Sequence, residues 1–408
     1  MSPKSFINLI IVLVLLNLSI EHYHGAEGKN NKLVPKEEDM ELDMRLKIQN
    51  KTPVKSIKTK LGDIYDCINI YKQPAFDHPL LKNHKIQMKP SVIQEERIHK
   101  PISNTVSSVE RYKIQGCPSE TVPIRRTSKE ELINAKYLNN WIKPRHFVSA
   151  ETFAEKAYYG GKASITDVNP KVDMDQFSTA QIWIQNGPAE ELNSIEFGWA
   201  VYPQLFGDNL TRVFGLWTIQ KLIYTLIFIF IIIVQADGFK NTGCYNMLCP
   251  GFVQVHPEYI FGEYIKAKPY GEKPTWFDFS VYRDLESGNW WFVNGFENTE
   301  IGYWPKEIFT HLANNASTVR FGGVAGGDPG KPTPPMGHGY LPYYNDRYTC
   351  TIEEMKIVND QGNFVDFDTS NVQLKNDTKT SCYDLIFIGK EVYHGITMFF
   401  GGPGGDCP

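Results

Sequence analysis

The chain has 408 residues, with 42 Lys and Arg against 46 Asp and Glu and a formal charge of −4. That length holds one large domain or two ordinary ones. The mild, unclustered charge excludes the basic face of a nucleic-acid binder and any electrostatic footprint for an anionic membrane.

The first segment, 1–26, reads as a signal peptide. Lys4 supplies the positive charge, Phe6 to Ile20 forms an apolar core, and Gly25 and Ala26 offer a cleavage point. A secreted address follows, extracellular or cell wall, and with it an oxidising compartment for the seven cysteines. Four sequons, at Asn50, Asn209, Asn315 and Asn376, are glycosylation candidates in keeping with that address.

Residues 27–116 read as a pro-segment. Glu27 to Val54 is polar and poor in aromatics, which predicts disorder, with a short helix at Leu42 to Ile48. Ser56 to Ser91 is the ordered part. Pro74 and Pro79 forbid a long helix there, and the stretch has too little apolar mass for its own core. It should pack on something else. Lys89 to Gly116 is linker-like.

Residues 117–408 form the main domain. Ser128 to Leu138 reads as a helix, with Ser128 as N-cap and Glu131 three residues on as a capping box. Short strand signals follow: Ala180 to Gln185, Ser194 to Val201, Trp276 to Arg283, Asn289 to Val293, Val319 to Phe321 and Met355 to Val358. Period-two patterning cut by Gly, Pro and Asn predicts a mainly β fold, an antiparallel sandwich or barrel.

One run breaks the texture. Leu222 to Val234 reads LIYTLIFIFIIIV, short for a bilayer span. Three readings stand for the insert at 219–235: a transmembrane helix, a buried apolar strand, or translated intron. The third rests on its bias to residue types with A/T-only codons. Removal joins Thr218 to Ala236 and leaves a strand, a turn and a strand. Membrane contact would arise only through this run.

Absences bound the chemistry. There is no G-x-S-x-G, H-E-x-x-H or C-x-x-C, and the Gly-rich 322–333 lacks the ending of a phosphate loop. No cofactor or metal site is expected. Cys244 with Cys249, and Cys382 with Cys407, are the disulfide candidates; Cys67, Cys117 and Cys350 remain, and Cys67 with Cys117 would tether the pro-segment.

Glu196 is the candidate catalytic residue. Its strand alternates Ile195, Phe197, Trp199 and Val201 with Ser194, Glu196, Gly198 and Ala200. A lone Glu in such a strand reads first as a solvated face. Here its face-mates Gly198 and Ala200 are tiny, and Trp183, Trp199, Tyr202 and Trp217 lie near it in sequence. A carboxylate in a shallow aromatic-lined groove suits an extended polymer, and desolvation there favours acid–base work.

The motifs LGDIYDCINIYKQPAFDHPLLKNHKIQ, CPSETVPIRRT, AQIWIQNGP, SIEFGWAVYP, TGCYNMLCPGFVQ, PPMGHGYLP and FFGGPGGDCP together resemble the neprosin family. The resemblance runs from about Ser56 to Pro408. It implies a two-sheet antiparallel β-sandwich preceded by an inhibitory activation peptide. It also implies an acid-active glutamic endopeptidase that prefers proline-containing peptides. In such an enzyme two glutamates share one water, and Glu196 matches the first. The second is expected in a Trp-Gly-Gly-Glu strand, where this chain has Phe321-Gly322-Gly323-Val324. Asp328 is a substitute candidate, whereas Glu300 and Glu307 read as surface residues. A catalytically silent sandwich that binds proline-rich peptides or cell-wall polymers is the alternative.

Overall fold

The computed structural model describes residues 36–91, 116–138, 145–153, 156–218, 221–224, 232–235, 243–294 and 299–407. The expected signal peptide and most of the linker at 89–116 lie outside them. The chain divides into two compact units, 1–41 and 42–408; of the first, only the opening of helix α1 (Lys36–Gln49) is described.

Two antiparallel sheets make the body. The seven-stranded sheet has the order β11-β8-β7-β6-β16-β4-β19. Its strands are β4 (Arg145–Glu151), β6 (Phe177–Asn186), β7 (Asn193–Val201), β8 (Thr211–Thr218), β11 (Gly243–Tyr245), β16 (Thr318–Gly326) and β19 (Gln373–Asn376). The nine-stranded sheet runs β12-β15-β14-β13-β5-β17-β21-β20, with β18 (Phe364–Val365) also paired to β17. Those strands are β5 (Gly160–Thr166), β12 (Val253–Gln254), β13 (Trp276–Arg283), β14 (Trp290–Asn294), β15 (Thr299–Trp304), β17 (Cys350–Val358), β20 (Asp384–Glu391) and β21 (Gly395–Gly401).

The alternation read in the sequence decides which face goes inside. Ile195, Phe197 and Trp199 of β7 join Ile182, Ile184, Val319 and Phe321 in one core with Phe279, Phe292 and Trp304 of the facing sheet. Trp199 and Trp217 are fully buried in that core, so they do not line the groove that sequence proximity suggested. Trp199 satisfies its indole N–H there, donating to the Thr166 carbonyl at 2.9 Å.

The pro-segment folds onto this body. Strands β1 (Lys55–Lys58) and β2 (Ile64–Asn69) pair with β3 (Thr121–Arg125), so one three-stranded sheet bridges the expected boundary at 116/117. Cys67 of β2 is bonded to Cys117 across 50 residues. A loop of that length loses about 4 kcal/mol of unfolded-state entropy on closure. Beyond β2, Ala75, Phe76 and Ile86 lie on Val253, Trp291 and Tyr303, on the outer face of the nine-stranded sheet. Each large side chain so covered contributes about 2 kcal/mol. Gln73 makes two backbone bonds with Gln254, at 3.0 and 2.8 Å.

The two longer helices accompany the sheets. Helix α2 (Lys129–Leu138) opens on the expected capping box: Ser128 N–H donates to Glu131 at 2.7 Å and Glu131 N–H to Ser128 at 3.1 Å. The expected short helix at Leu42 to Ile48 lies within α1, and the disorder expected around it is corrected from Lys36 to Gln49. That helix is held from outside itself: Leu42 is buried, Asp43 pairs with Lys129, and Gln49 donates to the Met247 carbonyl. Asn50 exchanges two bonds with the Thr127 backbone.

The described parts of the apolar insert are not helical. Its ends form β9 (Lys221–Tyr224) and β10 (Ile232–Gln235), paired antiparallel, while 225–231 lies outside the described residues. No helix among the described residues is long and apolar enough to cross a membrane. The flanking strands β8 and β11 pair with each other directly, Thr218 opposite Gly243.

Candidate active site

Register places the site on the outer face of the seven-stranded sheet. Glu196 stands opposite Leu216 of β8 and Trp183 of β6, and Trp183 stands opposite Arg320 of β16. One step along, Gln181 lies between Gly198 and Gly322. One step further, Thr179 lies between Ala200 and Val324. Glu196 and position 324 therefore share a face, separated by the single strand β6. Both glycines are required: a Cβ at Gly198 would meet the Ala180 carbonyl at 2.1 Å, and one at Gly322 the Val148 carbonyl at 2.0 Å.

The Glu196 carboxylate is 5% exposed and held by two donors. Gln181 Nε2 donates to Oε2 at 2.7 Å, and Ser194 Oγ donates to Oε1 at 3.2 Å. Ser194 Oγ in turn accepts from Gln185 Nε2 at 3.1 Å, which leaves its own proton for Glu196. Burial pushes the carboxyl up from its ordinary value. Arg145, the Gln181 bond, Arg320 and the Ser194 bond pull the other way without cancelling it.

Aromatic side chains surround it. The Arg320 guanidinium lies 4.8 Å from the Phe147 ring centre and 4.9 Å from that of Trp183. Tyr202 packs tilted on Phe177 at 4.9 Å and edge-on to Tyr245 at 6.0 Å. Burial, and then the Glu196 carboxyl, push the Tyr245 hydroxyl up. Tyr245 is carried by the loop that the Cys244–Cys249 disulfide closes.

Val324 is buried among Phe177, Tyr202 and their neighbours. Nothing at that side chain donates or accepts a proton. Glu151, the other acid of this face, has its oxygens occupied by Arg320 at 2.6 Å and Lys375 at 2.6 Å. Asp328 follows β16 and adds to the rise of the Tyr202 hydroxyl behind burial and Tyr245. Glu300 and Glu307 belong to the other sheet, on β15 and just after it.

The remaining expected residues are accounted for. Cys382 is bonded to Cys407, and Cys350 is free and buried. Asn209 is exposed; Asn50, Asn315 and Asn376 are half-buried, and Asn376 Nδ2 donates to the Tyr383 carbonyl at 2.7 Å. No group of metal-ligating side chains occurs among the described residues. Gln181 was not singled out in the sequence. Its signal was its place on the polar alternation of AQIWIQ, which gains meaning only once β6 is known to pair with β7.

The family pattern described as Neprosin matches residues 174–403, and that described as Neprosin activation peptide matches residues 56–169. Among solved structures, this chain is 10% identical to the crystal structure of scytalido-glutamic peptidase with a transition state analog inhibitor. That similarity spans 63% of this chain and 98% of the other, at a TM-score of 0.33. It is 8% identical to SCP-B, a member of the Eqolisin family of peptidases in a complex with the tripeptide Ala-Ile-His, over 64% and 98% of the chains at a TM-score of 0.30. Likenesses this distant carry no argument of their own.

Proposed function

The chain belongs to the neprosin family, and from that premise we propose that it is a secreted peptidase. Its sandwich hydrolyses proline-containing polypeptides with Glu196 as general base, at a rate lowered by Val324. The observation that carries this reading is Glu196 itself: a desolvated carboxylate, fixed by two donors, on a sheet face floored by glycine. No cofactor enters the reaction.

The full-length chain is the latent form. A base 5% exposed does not meet a polypeptide. The activation segment flanks this face: Asp63 pairs with Arg212 of β8 at 3.0 Å. Its release opens the groove.

Val324 changes the pH behaviour. A pair of close glutamates works while it holds one proton, which confines it to acid. A lone Glu196 acts as base only when ionised, so hydrolysis rises with pH through its elevated pKa. The second reading, a silent peptide- or glycan-binding groove, is favoured by the same valine, since the proton donor of the pair is missing.

The test is hydrolysis of proline-containing peptides by the processed protein, with Glu196→Gln alongside. Loss of cleavage in Glu196→Gln supports the reading, and cleavage that persists there removes Glu196 as the base. Peptide binding without cleavage at any pH establishes the silent groove instead.

A further inference from the structure

A directional hydrogen-bond chain crosses the site, and it fixes a group the family resemblance does not name. The Val324 backbone N–H can only donate, and it points to Thr179 Oγ1 at 3.3 Å. Thr179 therefore spends its own proton elsewhere; Gln181 Oε1 is the close acceptor at 2.6 Å. The Val324 carbonyl, at 3.3 Å, is the longer alternative for that proton; with Oε1 taking the shorter bond, Gln181 turns its NH2 group to Glu196, at 2.7 Å. The amide orientation thus follows from the shortest bonds of the network that starts at the backbone of β16.

An NH2 group has two protons, and Glu196 takes one. Gln181 lies between Gly198 and Gly322, so neither neighbouring strand supplies a side chain at its own level. A substrate backbone can approach closely there. A neutral donor beside an ionised base is what a developing oxyanion needs when no protonated acid is at hand.

We propose that Gln181 is the second catalytic residue of this chain, donating its remaining N–H to the scissile carbonyl oxygen while Glu196 activates water. The inference rests on the peptidase reading above. In the first step the water oxygen bonds to the carbonyl carbon, the water proton passes to Glu196, and the carbonyl π pair moves onto the oxygen facing Gln181. In the second step the oxyanion pair re-forms the carbonyl and the C–N bond breaks. Glu196 returns its proton to the departing amine nitrogen. One water is consumed, with its OH on the acyl product and its proton on the amine, and Gln181 ends unchanged.

The experiment compares the full-length protein, after processing, with Gln181→Leu, Gln181→Glu and Glu196→Gln on one proline-containing peptide across pH. The natural protein should give a single limb rising with pH to a plateau. Gln181→Leu should lower the plateau kcat about 10²–10³-fold, the usual cost of one oxyanion donor, with KM changed little. Gln181→Glu places two carboxyls within hydrogen-bonding distance and should turn the limb into a bell on the acid side. A Gln181→Leu protein whose limb moves while its plateau kcat stays would overturn the donor role and leave Gln181 a positioning residue. No hydrolysis by the natural protein overturns this inference together with the peptidase reading. A loss confined to Glu196→Gln overturns this inference alone.

Discussion

At the residue scale, the site is one carboxyl whose environment works against its charge. Burial raises the folded pKa of Glu196 above the unfolded value. The stability this group contributes is full below the ordinary carboxylate range and is lost as pH rises through the folded pKa. Glu196→Gln, which keeps an acceptor for Gln181, should match the natural melting temperature near pH 4 and exceed it at pH 7. The gain is roughly 2–4 °C for each kcal/mol relieved. Equal midpoints at both pH values would show that the carboxyl carries no burial penalty. Glu196 was legible in the sequence, because alternation with Ile195, Phe197 and Trp199 left it on the opposite face. Gln181 was not, because its role depends on which strand lies beside it, and single-strand periodicity carries no register. Trp217 was misread for the same reason: nearness in sequence gives no facing.

At the element scale, the insert is the test. β8 and β11 pair at Thr218 and Gly243, so deleting 219–235 leaves the seven residues 236–242 as their connection. A hairpin joined by such a loop is ordinary, and a two-stranded sheet such as β9–β10 adds little by itself. The deletion variant should fold with its three disulfides intact, keep the natural protein's peptide cleavage and aggregate less. Failure to fold would make the insert part of the sandwich. The apolar run was plain in the sequence, but its form was not. Composition suits a span, a strand or an intron alike; the paired ends speak against a helical span and leave the other two readings standing. The helix at Leu42 to Ile48 was legible, but the full extent of α1 was not, because its anchors, Lys129 and the Met247 carbonyl, lie far along the chain.

At the scale of the whole molecule, the activation segment and the sandwich are joined by buried charge as well as by apolar contact. Arg212 is 1% exposed and is held by Asp63 at 3.0 Å, by Asp208 at 2.5 Å and by the Gly262 carbonyl at 2.7 Å. Asp63 also receives Arg125 at 3.0 Å. Removing one partner of a buried pair costs about 3 kcal/mol. Asp63→Ala should therefore release the segment faster under limited proteolysis; an unchanged rate would place the hold in the apolar face at Trp291 and Tyr303. The order of activation segment and sandwich followed from motif. The three-stranded sheet bridging the two did not, since β2 and β3 are far apart in sequence. What remains to be decided is whether position 324 limits the chemistry. The direct measurement is kcat/KM near pH 4 for the processed protein and for Val324→Glu, with Val324→Gln as a control of similar size. The expected result is a gain of about 10²-fold or more in Val324→Glu alone, the usual worth of a positioned acid–base group. Equal values for all three folded proteins would contradict the account.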